Sequence, residues 1–179
     1  DKEQPIHYFT IGEEAWQNAE QWPVPEAQTK TLFFAADNGL ASTPPRAPDA
    51  ADAHRPDFRC GTGRMTRYER LSTVAVEAYY DDWHGRDARM QTYTSAPLTK
   101  DQTLTGHPVI TLHVATSEQD GSFFAYLEDV DPQGRTRYVT EGILRALHRK
   151  VRETPPGLQW VGPYHSLEEA DAELMTPGE

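Results

Sequence analysis

Apolar and polar residues alternate most regularly in the middle of the chain, between residues 93 and 150. There Ile110, Leu112 and Val114 alternate with Thr111 and His113. A period of two places one apolar face on a half-buried β-strand. After the polar residues 117–121, Phe123, Ala125 and Leu127 alternate with Phe124, Tyr126 and Glu128. Aromatic residues on both faces predict a second strand covered on both sides. Asp131-Pro132-Gln133-Gly134 then places proline where φ near −65° is wanted and glycine at the turn exit, the preference of a type I turn. A third strand is expected at 136–140, at hairpin distance.

The flanking sequence is less regular. Residues 6–11 are β-branched and aromatic and stop at Gly12, and residues 29–36 alternate again; both read as strands. Asp37-Asn38-Gly39 is turn chemistry. Pro23 and Pro25 forbid helix between the first two strands. Residues 41–56 carry Pro44, Pro45, Pro48 and Pro56 and read as a long irregular loop or insertion, extending to about 63. In 65–78, Met65, Tyr68 and Leu71 keep helical spacing while Val74, Val76 and Ala78 alternate, so periodicity leaves helix and strand both open. An aromatic and charged knot at 79–87 precedes a strand at 90–94. Beyond residue 150, a short strand is expected at 158–161. Ser166 is placed to cap a short helix over 167–170, and residues 176–179 form a turn.

A chain of 179 residues fits one domain, with about 70% of its unfolded surface buried on folding. Only 37% of residues are hydrophobic and the mean hydropathy is −0.73, which predicts a thin core with solvated outer faces. The net charge of −11 repels phosphate backbones and anionic lipid, so neither nucleic acid nor a membrane surface is an expected partner. The single cysteine, Cys60, excludes an intramolecular disulfide. No apolar run approaches the roughly 20 residues that span a bilayer. The chain opens on Asp1-Lys2-Glu3 with no initiator Met and no signal-like segment, as a piece of a longer protein would; its compartment is left open.

No residue is assigned a catalytic, cofactor-binding or metal-binding role. A nucleophile elbow needs the frame G-x-S-x-G, and neither Ser122 nor Ser95 has it. Nothing near Cys60 lowers a thiol pKa. His107 and His113 would lie about 20 Å apart on an extended strand, too far to share an ion. Glu128, Asp129 and Asp131 could hold Ca²⁺ through oxygen ligands, but the ligand series of a calcium loop is missing and a solvated acidic hairpin is the simpler reading. Gly61-Thr62-Gly63-Arg64 lacks the frame of a phosphate-binding loop. Trp16 and Trp22 could stack a ligand, but are better read as plugs closing one end of a sandwich.

Several motifs, in order, carry a resemblance. They are Tyr93-Thr94-Ser95-Ala96-Pro97-Leu98; Thr105-Gly106-His107-Pro108; Phe124-Ala125-Tyr126-Leu127-Glu128-Asp129-Val130 with Asp131 and Gly134; and Tyr138-Val139-Thr140-Glu141-Gly142 with Leu144, Arg145, Ala146 and Arg149. Near the start stand Tyr8-Phe9-Thr10-Ile11-Gly12, Trp16 and Trp22-Pro23. Together they resemble the C-terminal domain of the X-Pro dipeptidyl-peptidase and cocaine esterase (CocE/NonD) group of serine hydrolases, which includes glutaryl-cephalosporin acylases and α-amino acid ester hydrolases. The resemblance covers nearly the whole chain, most specifically 93–150.

It implies a mostly-β fold, a jelly-roll β-sandwich of the galactose-binding-like type with long irregular loops and one or two short helices. The whole chain, 1–179, would be a single non-catalytic domain. Its partner would be an α/β-hydrolase catalytic domain carrying Ser, Asp and His, all of which precede the jelly roll in this family. The parent would then be an esterase, amidase or peptidase, and the chain by itself would have no activity. An alternative is a carbohydrate-binding module using Trp16, Trp22, Trp83 or Tyr79 as stacking platforms. Family members continue past the position of Pro177-Gly178-Glu179 with further strands. A chain ending at Glu179 should therefore leave an open edge through which copies could associate.

Overall fold

A computed structural model describes residues 4–47, 49–59, 61 and 86–179. It divides into two units, Asp1–Gly106 and His107–Glu179. The described residues form seven strands and single 3-10 turns, so the protein is mostly β, compatible with a β-sandwich. No helix among them is long and apolar enough to cross a membrane.

In the first unit, β1 (Ile6–Thr10) pairs antiparallel with β2 (Ala15–Ala19), from Ile6 opposite Ala19 to Thr10 opposite Ala15. The connection turns through Gly12 at φ 91° and Glu14 at φ 51°, and the Glu14 carboxylate accepts the Gly12 N–H at 3.1 Å. Sequence pattern marked β1 and the stop at Gly12 but left β2 unassigned, because Glu13–Gln17 carries no clean alternation. β3 (Phe33–Ala35) and β4 (Gly39–Ala41) are joined by a 3-10 turn, Ala36–Asn38, in which Asp37 and Asn38 take φ of 57° and 56°. The expected strand at 29–36 is thus cut to its last residues. Phe33 faces Ala41 across the ladder, and three residues beyond Ala41 the partner strand runs into Pro44 and Pro45, which have no N–H to donate. β5 (Thr94–Ser95) joins β4 in parallel, shorter than the strand expected at 90–94. Tyr93 stacks on Phe34 with ring centroids 4.2 Å apart, and its hydroxyl donates to Asp52 at 2.6 Å, which ties the irregular 41–56 loop to this sheet. Burial, with the Asp52 carboxylate next, pushes the Tyr93 phenol above its usual value. The ambiguous segment 65–78, residues 79–85 of the aromatic knot and Cys60 lie outside the described residues.

The second unit is built on β6 (Ser122–Val130) and β7 (Thr136–Arg145), an antiparallel hairpin running from Ser122 opposite Arg145 to Val130 opposite Thr136. Both strands are longer than the sequence reading predicted, because a ladder continues wherever a partner backbone runs alongside, even through Asp129 and Gly142. The turn is the one expected: the Gly134 N–H donates to the Asp131 carbonyl at 2.8 Å, and Gly134 sits at φ 78°. A register shift between Leu127 and Glu128 leaves Val139 as the extra residue of a β-bulge.

After a 3-10 turn at Ala146–His148, the chain makes a single bridge between Arg152 and Tyr164. The short helix expected over 167–170 is instead a 3-10 turn at Glu169–Asp171, with the Ser166 hydroxyl accepting the Glu168 N–H at 3.3 Å. No strand forms at 158–161. The last residues run alongside earlier backbone: Glu173 N–H donates to Leu147, Met175 to Gln119 and Gly178 to Thr116, at 3.0, 2.8 and 2.8 Å.

Two expectations are corrected by these strands. β6 is not covered on both sides, since Phe124 is 56% exposed. Nor does the segment around Ile110 join a ladder; no strand is assigned there. Among the described residues the buried apolar side chains are Ala19, Ala146 and Met175. The physical reason is common to both: a two-stranded ribbon has no second layer to bury its faces.

Candidate functional site

Three aspartates organise the polar groups of the second unit. Asp171, buried, gathers the Ser166 hydroxyl at 2.6 Å, Lys150 Nζ at 2.9 Å and Arg152 Nε at 3.1 Å. The Ser166 hydroxyl, then the Lys150 ammonium, hold its carboxyl below the usual aspartate range. Asp120 receives two nitrogens of Arg145 at 2.7 and 2.6 Å, and the N–H groups of Gly121 and Leu147. Its carboxyl is also lowered, first by the Arg145 hydrogen bond. Asp131 accepts the N–H groups of Gln133 and Arg135 and the Arg135 guanidinium at 2.7 Å, with the Arg135 backbone the largest cause of its lowered value.

Each of these aspartates ties backbone and side-chain groups of the second unit together. A serine hydroxyl becomes a nucleophile when a nearby base near neutral pKa can take its proton. Ser166 instead faces a carboxylate whose basicity is reduced by two cations. The imidazole next to it in sequence, His165, directs Nδ1 at the Lys150 carbonyl, 3.2 Å away. Lys150, Arg152, Ser166 and Asp171 thereby close the base of the loop that runs between Arg152 and Tyr164. Arg149 does similar work beside them, donating to the carbonyls of Ala146, Glu173 and Leu174. Sequence reading missed the Asp171 cluster because its members are up to 21 residues apart and share no motif spacing.

The residues weighed from the sequence are dispersed. Ser122 opens β6 opposite Arg145, and Ser95 turns its hydroxyl to the neighbouring Ala96 carbonyl at 3.0 Å. His107 and His113 are exposed. Of the acidic hairpin residues, Asp131 has both carboxylate oxygens engaged by its own turn, and Asp129 is exposed. Among the described residues no group of three or more His, Cys, Asp or Glu is arranged to hold a metal.

Aromatic residues present the more distinctive surface. Trp16 lies opposite Phe9 in the β1–β2 ladder, edge to face at 5.5 Å, and is 69% exposed. On the other side of the ribbon Tyr8 meets a half-buried Trp22 at 5.6 Å. The reading of Trp16 as a buried plug is therefore overturned; directly paired with Phe9 on a two-stranded ribbon, it has no layer to enter. Trp160 is also 53% exposed, its indole N–H fixed to the Pro163 carbonyl at 2.9 Å.

Comparison with known proteins places this arrangement. The model of the X-Pro dipeptidyl-peptidase C-terminal non-catalytic domain matches residues 1–179. Two relatives, one from Mycobacterium bovis and one from Mycobacterium tuberculosis, are each named as a candidate serine esterase. Each is 42% identical over 177 residues, covering 99% of this chain and 28% of the relative. The chain thus spans little more than a quarter of the length of these proteins. No solved structure matches it significantly. The chain belongs to the family of X-Pro dipeptidyl-peptidase C-terminal non-catalytic domains.

Proposed function

We propose that this chain is a non-catalytic jelly-roll domain that packs on the α/β-hydrolase catalytic domain of a serine hydrolase acting on ester or amide bonds, and helps shape its cleft or dimer surface. The observation that carries the reading is the full-length family match together with relatives more than three times as long, named as candidate serine esterases. The exposed apolar ladder positions Phe9 and Trp16 and the outward Phe124 and Ile143 support it, because such faces are stable in water only when small or covered. The chain alone should not turn over a chromogenic ester, and should raise the stability or solubility of a catalytic domain from the same polypeptide when the two are produced together. Ester turnover by the chain alone, abolished by a serine-directed inhibitor, would overturn the proposal.

A second reading, a carbohydrate-binding module, is favoured by the exposure of Trp16. An exposed indole backed by a second ring offers the flat apolar face on which a sugar ring stacks. A sugar titration should then quench or shift tryptophan fluorescence, with the change lost in Trp16→Ala. An unchanged spectrum across a panel of neutral glycans removes it.

A further inference from the structure

The β1–β2 ribbon carries large side chains on both faces, and its two faces meet different surroundings. Cross-strand partners share a face, so Ile6, Tyr8 and Thr10 lie with Ala15, Gln17 and Ala19, all buried or half-buried. The other face holds His7, Phe9, Trp16 and Asn18, all exposed, and Ile11 continues its parity past the end of β1. At its centre Phe9, Ile11 and Trp16 are 42, 62 and 69% exposed, with the Phe9 and Trp16 rings packed edge to face. Polar groups border both ends. His7 pairs with Asn18 at one end; at the other, the Glu13 carboxylate accepts from Gln17 and Thr103, and the Glu14 carboxylate from the Gly12 N–H. An uncharged aromatic centre inside a polar rim is the anatomy of a protein–protein contact, where Trp is among the strongest anchors. The exposed Phe124–Ile143 pair of β6–β7 differs. It sits between the pairs Ser122–Arg145 and Tyr126–Glu141, so a charged side chain borders it on each side.

We propose that this face of β1–β2, centred on Phe9, Ile11 and Trp16, is the surface by which the chain docks on the catalytic domain of its own polypeptide, a placement that rests on the domain-packing role proposed above. The relatives are more than three times as long as this chain and are named as candidate serine esterases, so a partner large enough to cover the face belongs to the same polypeptide. By family the chain is a C-terminal domain, and β1 is the first strand reached from the catalytic side. A covalent tether makes docking an intramolecular event and favours the patch nearest to it. Charge argues in the same direction. A net charge of −11 sets two copies against each other, whereas the centre of this face brings no charge to a contact with a different domain. Phe9 and Trp16 also lose little freedom on docking, because each ring is already positioned by the other on a paired ladder.

The test is photo-cross-linking in the intact parent polypeptide. Trp16→p-benzoylphenylalanine keeps a large aromatic group at the centre of the face, and the linked peptides are mapped by mass spectrometry; the same probe at Phe124 and at Trp160 provides the comparison. Links from position 16 to peptides of the catalytic domain are expected. In a second measurement, the chain is produced together with the catalytic domain as two polypeptides. Phe9→Ala combined with Trp16→Ala should raise the dissociation constant between them roughly tenfold or more. Circular dichroism checks that the double variant keeps the wild-type strand signal. Links to the catalytic domain from position 124 or 160 but not from position 16 overturn the docking surface and leave the packing role standing. If no probe reaches the catalytic domain and the two polypeptides do not associate, the packing role and the docking surface fall together. Links from position 16 to the chain's own peptides or to a second copy overturn the proposal, as does a double variant that binds as tightly as wild type. Quenching of Trp16 by a neutral glycan in the intact parent overturns it too and assigns the face to a sugar.

Discussion

Residues 109–115 and Ser122–Val130 lie in one unit, separated by a short polar stretch, and both alternate apolar and polar side chains. Ser122–Val130 is hydrogen-bonded along its whole length to Thr136–Arg145, while 109–115 has no partner among the described residues. The difference lies in the residues immediately after each segment. Val130 runs into Asp131-Pro132-Gln133-Gly134, a turn that returns the chain antiparallel at once, so the ladder closes with little loop entropy. Val114 runs into Thr116, Gln119 and Asp120, whose backbone and side-chain groups are taken by the tail residues Met175 and Gly178 and by Arg145. A strand is a property of a pair, and only one of these segments is supplied with its mate locally.

Acid should separate the two most strongly. Asp120, Asp131 and Asp171 all have carboxyl values lowered by their partners. A depressed value means the folded form holds its proton less tightly than the unfolded form. The ties therefore contribute fully above about pH 4, the unfolded aspartate value, and are lost as pH falls through the depressed values. Hydrogen exchange between pH 7 and pH 2, corrected for intrinsic rates, should show protection collapsing along β6 and β7, while 109–115, which joins no ladder among the described residues, should change little. Retained β6–β7 protection at pH 2 would show that the aspartate ties matter little.

Met175→Ala should be next, costing about 2–3 kcal/mol in urea unfolding, because a buried side chain is removed where the tail runs beside Gln119. Gly134→Val should cost about 1–2 kcal/mol. A Cβ at Gly134 meets no atom within 4 Å, so the penalty comes from φ 78° alone, and Gly134→Asn should recover part of it. Leu112→Ala should cost least, about 0.5–1 kcal/mol, since the side chain is already 40% exposed and joins no ladder. A large loss there would mean that 109–115 already has a partner within its own chain.

Much of this was legible without coordinates. Turn chemistry located Asp37-Asn38-Gly39 and Asp131-Pro132-Gln133-Gly134, because a positive φ or a proline-set φ is a requirement on single residues. Alternation found the core of β6, β-branched and aromatic composition found β1, and hairpin spacing after the turn found the start of β7. What stayed hidden was every relation between distant positions. β2 carried no alternation and was found only through Ile6–Thr10 opposite it. Asp171 looked like one acid among many until Lys150, Arg152 and Ser166 converged on it.

By itself, then, the sequence determined the mostly-β character, the turns, the absence of a nucleophile elbow and the family, all of which depend on residues read one at a time or in fixed order. The tertiary structure decided which alternating segments became strands and which aspartates became ties. It also decided that Trp16 faces outward and that 109–115 joins no ladder among the described residues. Those outcomes depend on which partner reaches a given backbone or carboxylate, and pairing between remote parts of a chain is set by closure and packing rather than by composition.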